Sequence, residues 1–80
     1  MLVNLMDEGY ILSNKYRKAI FYEIASGESN INYISKKHRI IRAIANKTIY
    51  DLMKNDIINK KNNRYVLSKK GEKIKEIIKD

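Results

Sequence analysis

Side chains that can bind base pairs recur at helical spacing in the middle of the chain. Arginine pairs bidentately with guanine and asparagine with adenine, and a small alanine lets a helix approach a base edge or a thymine methyl group. Steps of three, four or eight residues place such side chains on one face of a helix. The residues of this face are Arg42, Ala43, Asn46, Lys47, Tyr50 and Lys54. The pattern favours a base-contacting face over a merely solvated one.

The opposite side of the same stretch is apolar. Its apolar stripe, at steps of three and four, consists of Ile41, Ile44, Ala45, Thr48, Ile49, Leu52 and Met53. This periodicity predicts a helix over residues 41–54 with its apolar back against a core. A shorter helix over 31–37, with Ile31 and Ile34 inward, precedes it. A basic hinge over 36–39, closed by Ile40, separates the two, which is a helix-turn-helix arrangement.

Two further groups of cations flank this unit. The hinge supplies Lys36, Lys37 and Arg39, which we expect to contact phosphates beside a groove. A hairpin is predicted further on, with strands over 57–60 and 64–67 and a turn over 61–63. Its tip carries Lys60, Lys61 and Arg64, which suit phosphates or a minor groove better than a turn that is basic by chance.

The composition favours an anionic partner. The 80 residues include 17 Lys or Arg and 9 Asp or Glu, a formal net charge of +8. The excess is uneven, because residues 15–48 hold eight basic and two acidic side chains. The charge favours an anionic partner such as nucleic acid or an acidic membrane surface, and its uneven spread favours nucleic acid over a basic surface without function. No apolar run approaches the ~20 residues that span a bilayer, so no membrane association is expected.

Catalytic and metal-binding chemistry finds little support in the sequence. The chain has no cysteine and 1 histidine, His38, for which a partly buried place in the turn is expected. No carboxylates or thiolates stand near it with metal-ligand spacing. The three glycines are isolated, so no phosphate-cradling loop is present. We therefore expect no enzyme activity, no metal and no cofactor.

The remaining segments are placed by their end signals. Residues 1–10 suggest a short strand or half a helical turn, broken by Asp7-Glu8-Gly9. Ser13 is expected to cap a helix over 14–26 that ends at Gly27, and Asn30 to cap the next helix. Ser68 is expected to cap a last helix over 69–79, whose apolar stripe is Ile74, Ile77 and Ile78.

Two motifs carry a family resemblance. The long helix ends in Leu52-Met53-Lys54-Asn55-Asp56-Ile57-Ile58, and the hairpin returns through Arg64-Tyr65-Val66-Leu67-Ser68-Lys69-Lys70-Gly71. In this order and spacing they resemble winged helix-turn-helix regulators of the MarR/ArsR type, in their small archaeal form, over residues 13–78. Two positions depart from the family pattern. Asp56 stands in place of a glycine, so we expect Asn55 to adopt the left-handed conformation, and His38 replaces a leucine.

The resemblance implies a mainly helical α+β fold with a three-helix core, a two-stranded wing and a C-terminal helix. We expect one domain over residues 1–80 that acts as a cytoplasmic transcription regulator on double-stranded DNA. It further implies a homodimer, for which the spare apolar residues are Leu2, Val3, Leu5 and Met6, or Ile74, Ile77 and Ile78. Two alternatives stay open: a non-specific architectural DNA-binding protein, and a winged-helix module that binds protein.

Overall fold

Five helices and one hairpin make up the computed structural model, which describes residues 5–78 and side chains from residue 7 onward. The elements are α1 (Leu5–Leu12), α2 (Lys15–Ala25), α3 (Ile31–His38), α4 (Arg42–Lys54), β1 (Ile58–Lys61), β2 (Arg64–Leu67) and α5 (Lys69–Ile78). The predicted fold class is confirmed: a mainly helical chain with a two-stranded antiparallel wing. Helices and strands from α2 onward lie within one or two residues of their predicted bounds.

The first segment was predicted wrongly. It forms helix α1, which continues through Asp7, Glu8 and Gly9 instead of breaking there. Acidic side chains in a first helical turn interact favourably with the positive end of the helix dipole, so they strengthen this helix. Fully buried Ile11 anchors it to the core. The predicted apolar patch of residues 2, 3, 5 and 6 has its side chains outside the described part of the chain.

Helix α2 is capped by Asn14, one residue later than expected. Asn14, in extended conformation, accepts hydrogen bonds from the backbone of Tyr16 at 2.9 Å and Arg17 at 3.0 Å. Ser13 instead donates to the carbonyl of Tyr10, so its predicted capping role is wrong. The helix ends as predicted at Gly27, whose φ of +107° suits a residue without Cβ.

The turn between α3 and α4 is shorter than the predicted hinge. Asn30 caps α3 as expected, by accepting from the backbone N–H groups of residues 32 and 33. The basic residues Lys36, Lys37 and His38 then form the last helical turn, because Arg39 alone takes the left-handed conformation (φ +55°). The turn therefore comprises residues 39–41. Ile40 is buried in it, whereas Ile41 is exposed and not part of the apolar stripe, contrary to prediction.

The exit of α4 also differs from the expectation. Asn55 has φ −90°, and Asp56 itself takes the left-handed conformation with φ +60°. Aspartate tolerates this conformation better than most residues with a Cβ. The Asp56 carbonyl accepts from the Ser68 hydroxyl at 2.6 Å, and Ile57 donates to the Leu52 carbonyl at 2.9 Å. Aspartate thus performs the role of the expected glycine.

The wing is a tight hairpin in the register Ile58–Leu67 to Lys61–Arg64. Asn62 and Asn63 both have positive φ, as a two-residue type I′ turn requires. After the wing, Ser68 caps α5 as predicted, by accepting from the N–H of Gly71 at 2.9 Å. Gly71 packs directly on the carbonyl of Ile57, so closely that a Cβ would clash with it.

Isoleucines dominate the core, which lies between all five helices and the base of the wing. Helix α2 contacts α1, α3, α4 and β2, and α5 contacts α1 and β2. The fully buried large side chains of the core are Ile11, Ile20, Phe21, Ile34, Leu52, Ile57, Ile58 and Ile74. The core thereby fixes one face of α4 inward, which leaves the other face to solvent.

Candidate nucleic-acid interface

Helix α4 divides into a buried and an exposed face. Ala45, Thr48, Ile49 and Leu52 are buried, and the Thr48 hydroxyl is satisfied by the Ile44 carbonyl at 2.8 Å. All six residues of the predicted face are exposed, including Tyr50 at 61%. Arg42 is the first residue of the helix, and Asn46 and Tyr50 follow at one and two turns. The polar face therefore projects outward along the helix.

A cleft of about 620 Å³ lies between α3 and the first half of α4. Four predicted site residues meet around it: Lys36, Arg39, Arg42 and Asn46. Six further residues line it, among them Asn32, Ser35 and Ile41, none of which was predicted as a site residue. Asn32 lies three residues before Ser35 and four before Lys36, which are the spacings of one helical face. The polar face of the short helix could therefore have indicated Asn32 and Ser35. The cleft thus combines cationic and hydrogen-bonding side chains with an apolar lining from Ile31, Ile40, Ile41 and Ala45.

One residue predicted to contact phosphate, Lys37, instead forms an ion pair within the protein. Lys37 forms an ion pair with Glu23 of α2 at 2.9 Å, and His38 contacts the same oxygen at 2.7 Å. Hydrogen bonds from these two side chains hold the pKa of Glu23 below its ordinary value. The same carboxylate raises the pKa of Lys37. The group joins α2 to the end of α3, so Lys37 and His38 serve the helix-turn-helix packing.

A second predicted contact has an intrahelical partner. The ammonium group of Lys47 lies 2.8 and 2.7 Å from the two carboxylate oxygens of Asp51, one helical turn on. This hydrogen-bonded pair raises the pKa of Lys47. Lys47 remains largely exposed and positively charged, but any phosphate or base must compete with Asp51 for it.

The three predicted wing cations are exposed on the hairpin. Lys60 and Lys61 lie at the end of β1 and Arg64 begins β2. The ammonium group of Lys60 lies 6.0 Å from the ring centroid of half-buried Tyr65. Tyr65 also donates its backbone N–H to the Ser29 carbonyl at 3.2 Å, which joins the wing to the connection between α2 and α3. The hairpin is thus attached to the helical part of the protein through β2.

Metal-ligand clusters and membrane-spanning helices are both absent from the described part of the chain. Between residues 7 and 78, no three histidine or carboxylate side chains come together as metal ligands would. No helix in the described part of the chain has the length and apolarity to cross a membrane.

Comparison with known proteins agrees with this architecture. A family model described as winged helix-turn-helix matches residues 17–80. The chain belongs to this family. The match spans the cationic cleft, the exposed face of α4 and the wing, and membership supports DNA binding.

Structural comparison gives the same fold. The chain is similar to the quinone-bound YodB of B. subtilis, with a TM-score of 0.76 and 16% identity, over 96% of this chain and 88% of that one. At this identity the likeness concerns the fold. No curated protein matches the chain.

Proposed function

We propose that this chain is a sequence-specific regulator of transcription that binds double-stranded DNA through α4 and the wing. Its mechanism is binding without catalysis, and its setting is the cytoplasm. The observation that carries the proposal is the exposed face of α4, which places Arg42 and Asn46 beside a cationic cleft. The narrower assignment to MarR/ArsR-like proteins of archaeal type remains a prediction from the two sequence motifs.

The dimensions of α4 support its entry into a major groove. A helix with its side chains is ~10–12 Å wide, and the major groove of B-form DNA is ~12 Å wide. The N-terminal part of a recognition helix makes the base contacts in helix-turn-helix complexes. Arg42 occupies that part, and Asn46 lies one turn further on. We therefore assign base contacts to these two residues and backbone contacts to the surrounding cations.

The distribution of ion pairs refines the phosphate contacts. Within residues 7–78, no ion pair engages Lys36, Arg39, Arg42, Lys60, Lys61 or Arg64, whereas Lys37 and Lys47 are paired. A cation without an ion-pair partner can neutralise a phosphate and release its counterion without breaking an internal ion pair. The unpaired cations therefore supply most of the electrostatic affinity, with smaller contributions from Lys37 and Lys47.

A salt series tests DNA binding. Fluorescence anisotropy would measure the affinity for a duplex selected from a random pool and for a scrambled duplex, at increasing salt. Roughly four to eight phosphate contacts per subunit should give a steep linear fall of log affinity with log salt. The selected duplex should also bind more tightly than the scrambled one at every salt concentration.

Other outcomes would favour the alternatives. Equal affinity for both duplexes would indicate an architectural DNA-binding protein, and absence of binding to any duplex would favour a protein-interaction module. A salt dependence close to zero would contradict the assignment of the exposed cations to phosphates.

A further inference from the structure

Ile41 is the large apolar residue most exposed to solvent, at 64%, in the part of the chain that the structure describes. It occupies the N-cap position of α4, with φ −68° and ψ 151°. Serine, threonine, asparagine and aspartate are preferred at this position, because their side chains accept a hydrogen bond from the first helical turn. Ile41 makes no such bond. Its neighbour Ile40 is buried and supplies the core contact.

The chain thus departs here from two local rules, since an apolar side chain is exposed and a helix start lacks its cap. Such departures concentrate at functional sites. The two preceding helices do begin with a preferred capping residue, since Asn14 caps α2 and Asn30 caps α3. The exposed side chain of Ile41 therefore needs an explanation outside the core.

The surroundings of Ile41 indicate what covers it. It lies at the rim of the cleft together with Lys36, Arg39 and Arg42, all of them exposed. These cations favour an anionic partner over an apolar protein surface or the interior of a membrane. A partner that covers both kinds of side chain combines negative charge with an accessible apolar group.

Double-stranded DNA has this combination. The C5-methyl group of thymine is the apolar group that its base pairs present in the major groove. Double-helical RNA does not fit, because uracil lacks the methyl group and the A-form major groove is too narrow for side chains. Ile41 lines the same cleft as Arg42, which is assigned to a base contact, so the same approach of α4 brings both side chains to the groove.

We propose that Ile41 is a specificity-determining residue that contacts the methyl group of a thymine beside the base contacted by Arg42. This proposal rests on the proposed function, since it presupposes that α4 enters the major groove. It adds a preference that hydrogen bonds do not supply: a thymine at one defined position of the site.

The test replaces each thymine of the selected duplex by deoxyuridine, one at a time, which removes a single methyl group. Burial of one such group accounts for roughly a four-fold change in affinity. The unmodified protein should therefore lose roughly four-fold affinity at one position. Ile41→Ala should weaken binding to the thymine duplex by a similar factor or more and should no longer distinguish thymine from uracil there.

Two variants separate this effect from folding. Ile41→Ser supplies a capping hydroxyl, so it should raise the melting temperature and still lose the distinction between thymine and uracil. Leu12→Ala removes an exposed aliphatic side chain from α1, outside the cleft, and should retain the distinction.

The experiment distinguishes a failure of the proposed function from a failure of the assignment to Ile41. If the unmodified protein binds no duplex, the proposed function fails. If it binds but no deoxyuridine substitution changes its affinity, the contact of Ile41 with thymine is wrong while the proposed function stands. If Ile41→Ser still distinguishes the two bases, another residue makes the contact and the assignment to Ile41 is overturned.

Discussion

At the scale of single residues, the exposed cations divide into base contacts and backbone contacts. Arg42 lies in the first turn of α4, and Lys61 lies at the tip of the wing. Loss of a base contact costs ~1–3 kcal/mol and relaxes the preference at one position, whereas loss of a phosphate contact weakens binding to all sequences alike. We therefore expect Arg42→Ala to reduce sequence preference and Lys61→Ala to reduce affinity for every sequence.

A competition assay with cognate and scrambled duplexes would compare the two variants. Arg42→Ala should lose affinity mainly for the cognate duplex, and Lys61→Ala should lose it for both and lower the salt slope by about one. Equal losses on both duplexes for Arg42→Ala would show that α4 does not contact bases, and would favour the architectural alternative.

The Glu23 group makes stability depend on pH. Hydrogen bonds from Lys37 and His38 hold the pKa of Glu23 below its ordinary value of 4.5. A carboxylate with a lowered folded-state pKa stabilises the fold above the unfolded-state pKa, and this contribution is lost as the pH falls through the folded-state value. Glu23→Gln should therefore lower the free energy of unfolding at pH 7, with a difference from the unmodified protein that disappears in acid.

Urea denaturation at several pH values between 7 and 3 would measure this difference. The matched control is Glu76→Gln, because Glu76 is exposed on α5 outside its first turn and belongs to no ion pair among residues 7–78. A difference for Glu23→Gln that stays constant down to pH 3 would mean that its charge does not stabilise the link between α2 and α3.

At the scale of elements, two glycines in helices should respond oppositely to alanine. Gly71 in α5 packs on the Ile57 carbonyl, so a Cβ would force two backbones apart, at a cost of about 1–3 kcal/mol. A Cβ at Gly9 in α1 meets nothing within 4 Å, and alanine there should stabilise the helix by about 0.5–1 kcal/mol.

Thermal denaturation of both variants would test these opposite changes in stability. Gly71→Ala should lower the melting temperature and Gly9→Ala should raise it. If Gly71→Ala were as stable as the unmodified protein, the close contact between α5 and the exit of α4 would not constrain the fold.

The elements also show which features the sequence predicts well. Long periodic stripes, the caps at Asn30 and Ser68 and the hairpin turn are local, so α2 to α5 follow from them within one or two residues. The cap of α2 was assigned to Ser13 instead of its neighbour Asn14. Helix α1 was missed because glycine was interpreted as a breaker, although an exposed helical glycine costs only about 1 kcal/mol. The place of Ile41 was missed because Ile40 and Ile41 suit the stripe equally, and only the left-handed Arg39 decides which is buried.

The candidate site was predictable only where it depends on patterns within one helix. Exposure of the α4 face follows directly from its helical period. The pairing of Lys47 with Asp51 was also accessible, because opposite charges four residues apart meet on a helix. The pairing of Lys37 with Glu23 was not, because it joins two helices whose relative position depends on the whole core.

At the scale of the whole molecule, the shape and the apolar surface favour a two-fold dimer. The molecule measures 31 × 27 × 23 Å, so two copies in contact can place their α4 helices about one turn of DNA apart, ~34–36 Å. Helix α5 buries Ile74 and Ile78 but leaves Ile77 exposed at 47%. We predict that α5 takes part in the subunit contact through Ile77.

Sedimentation at high micromolar concentration would test this prediction. The unmodified protein should be dimeric, and Ile77→Lys should shift it to monomer, because a charge cannot be buried in an apolar contact without a partner. Tyr22→Lys, at an exposed apolar position of α2, is the matched control and should remain dimeric. Ile77→Lys should also bind a two-half-site duplex more weakly while its affinity for a single half-site is unchanged, because only the dimer joins two binding events. A monomeric unmodified protein would remove the dimer model, and regulation would then depend on one copy of α4 and its wing.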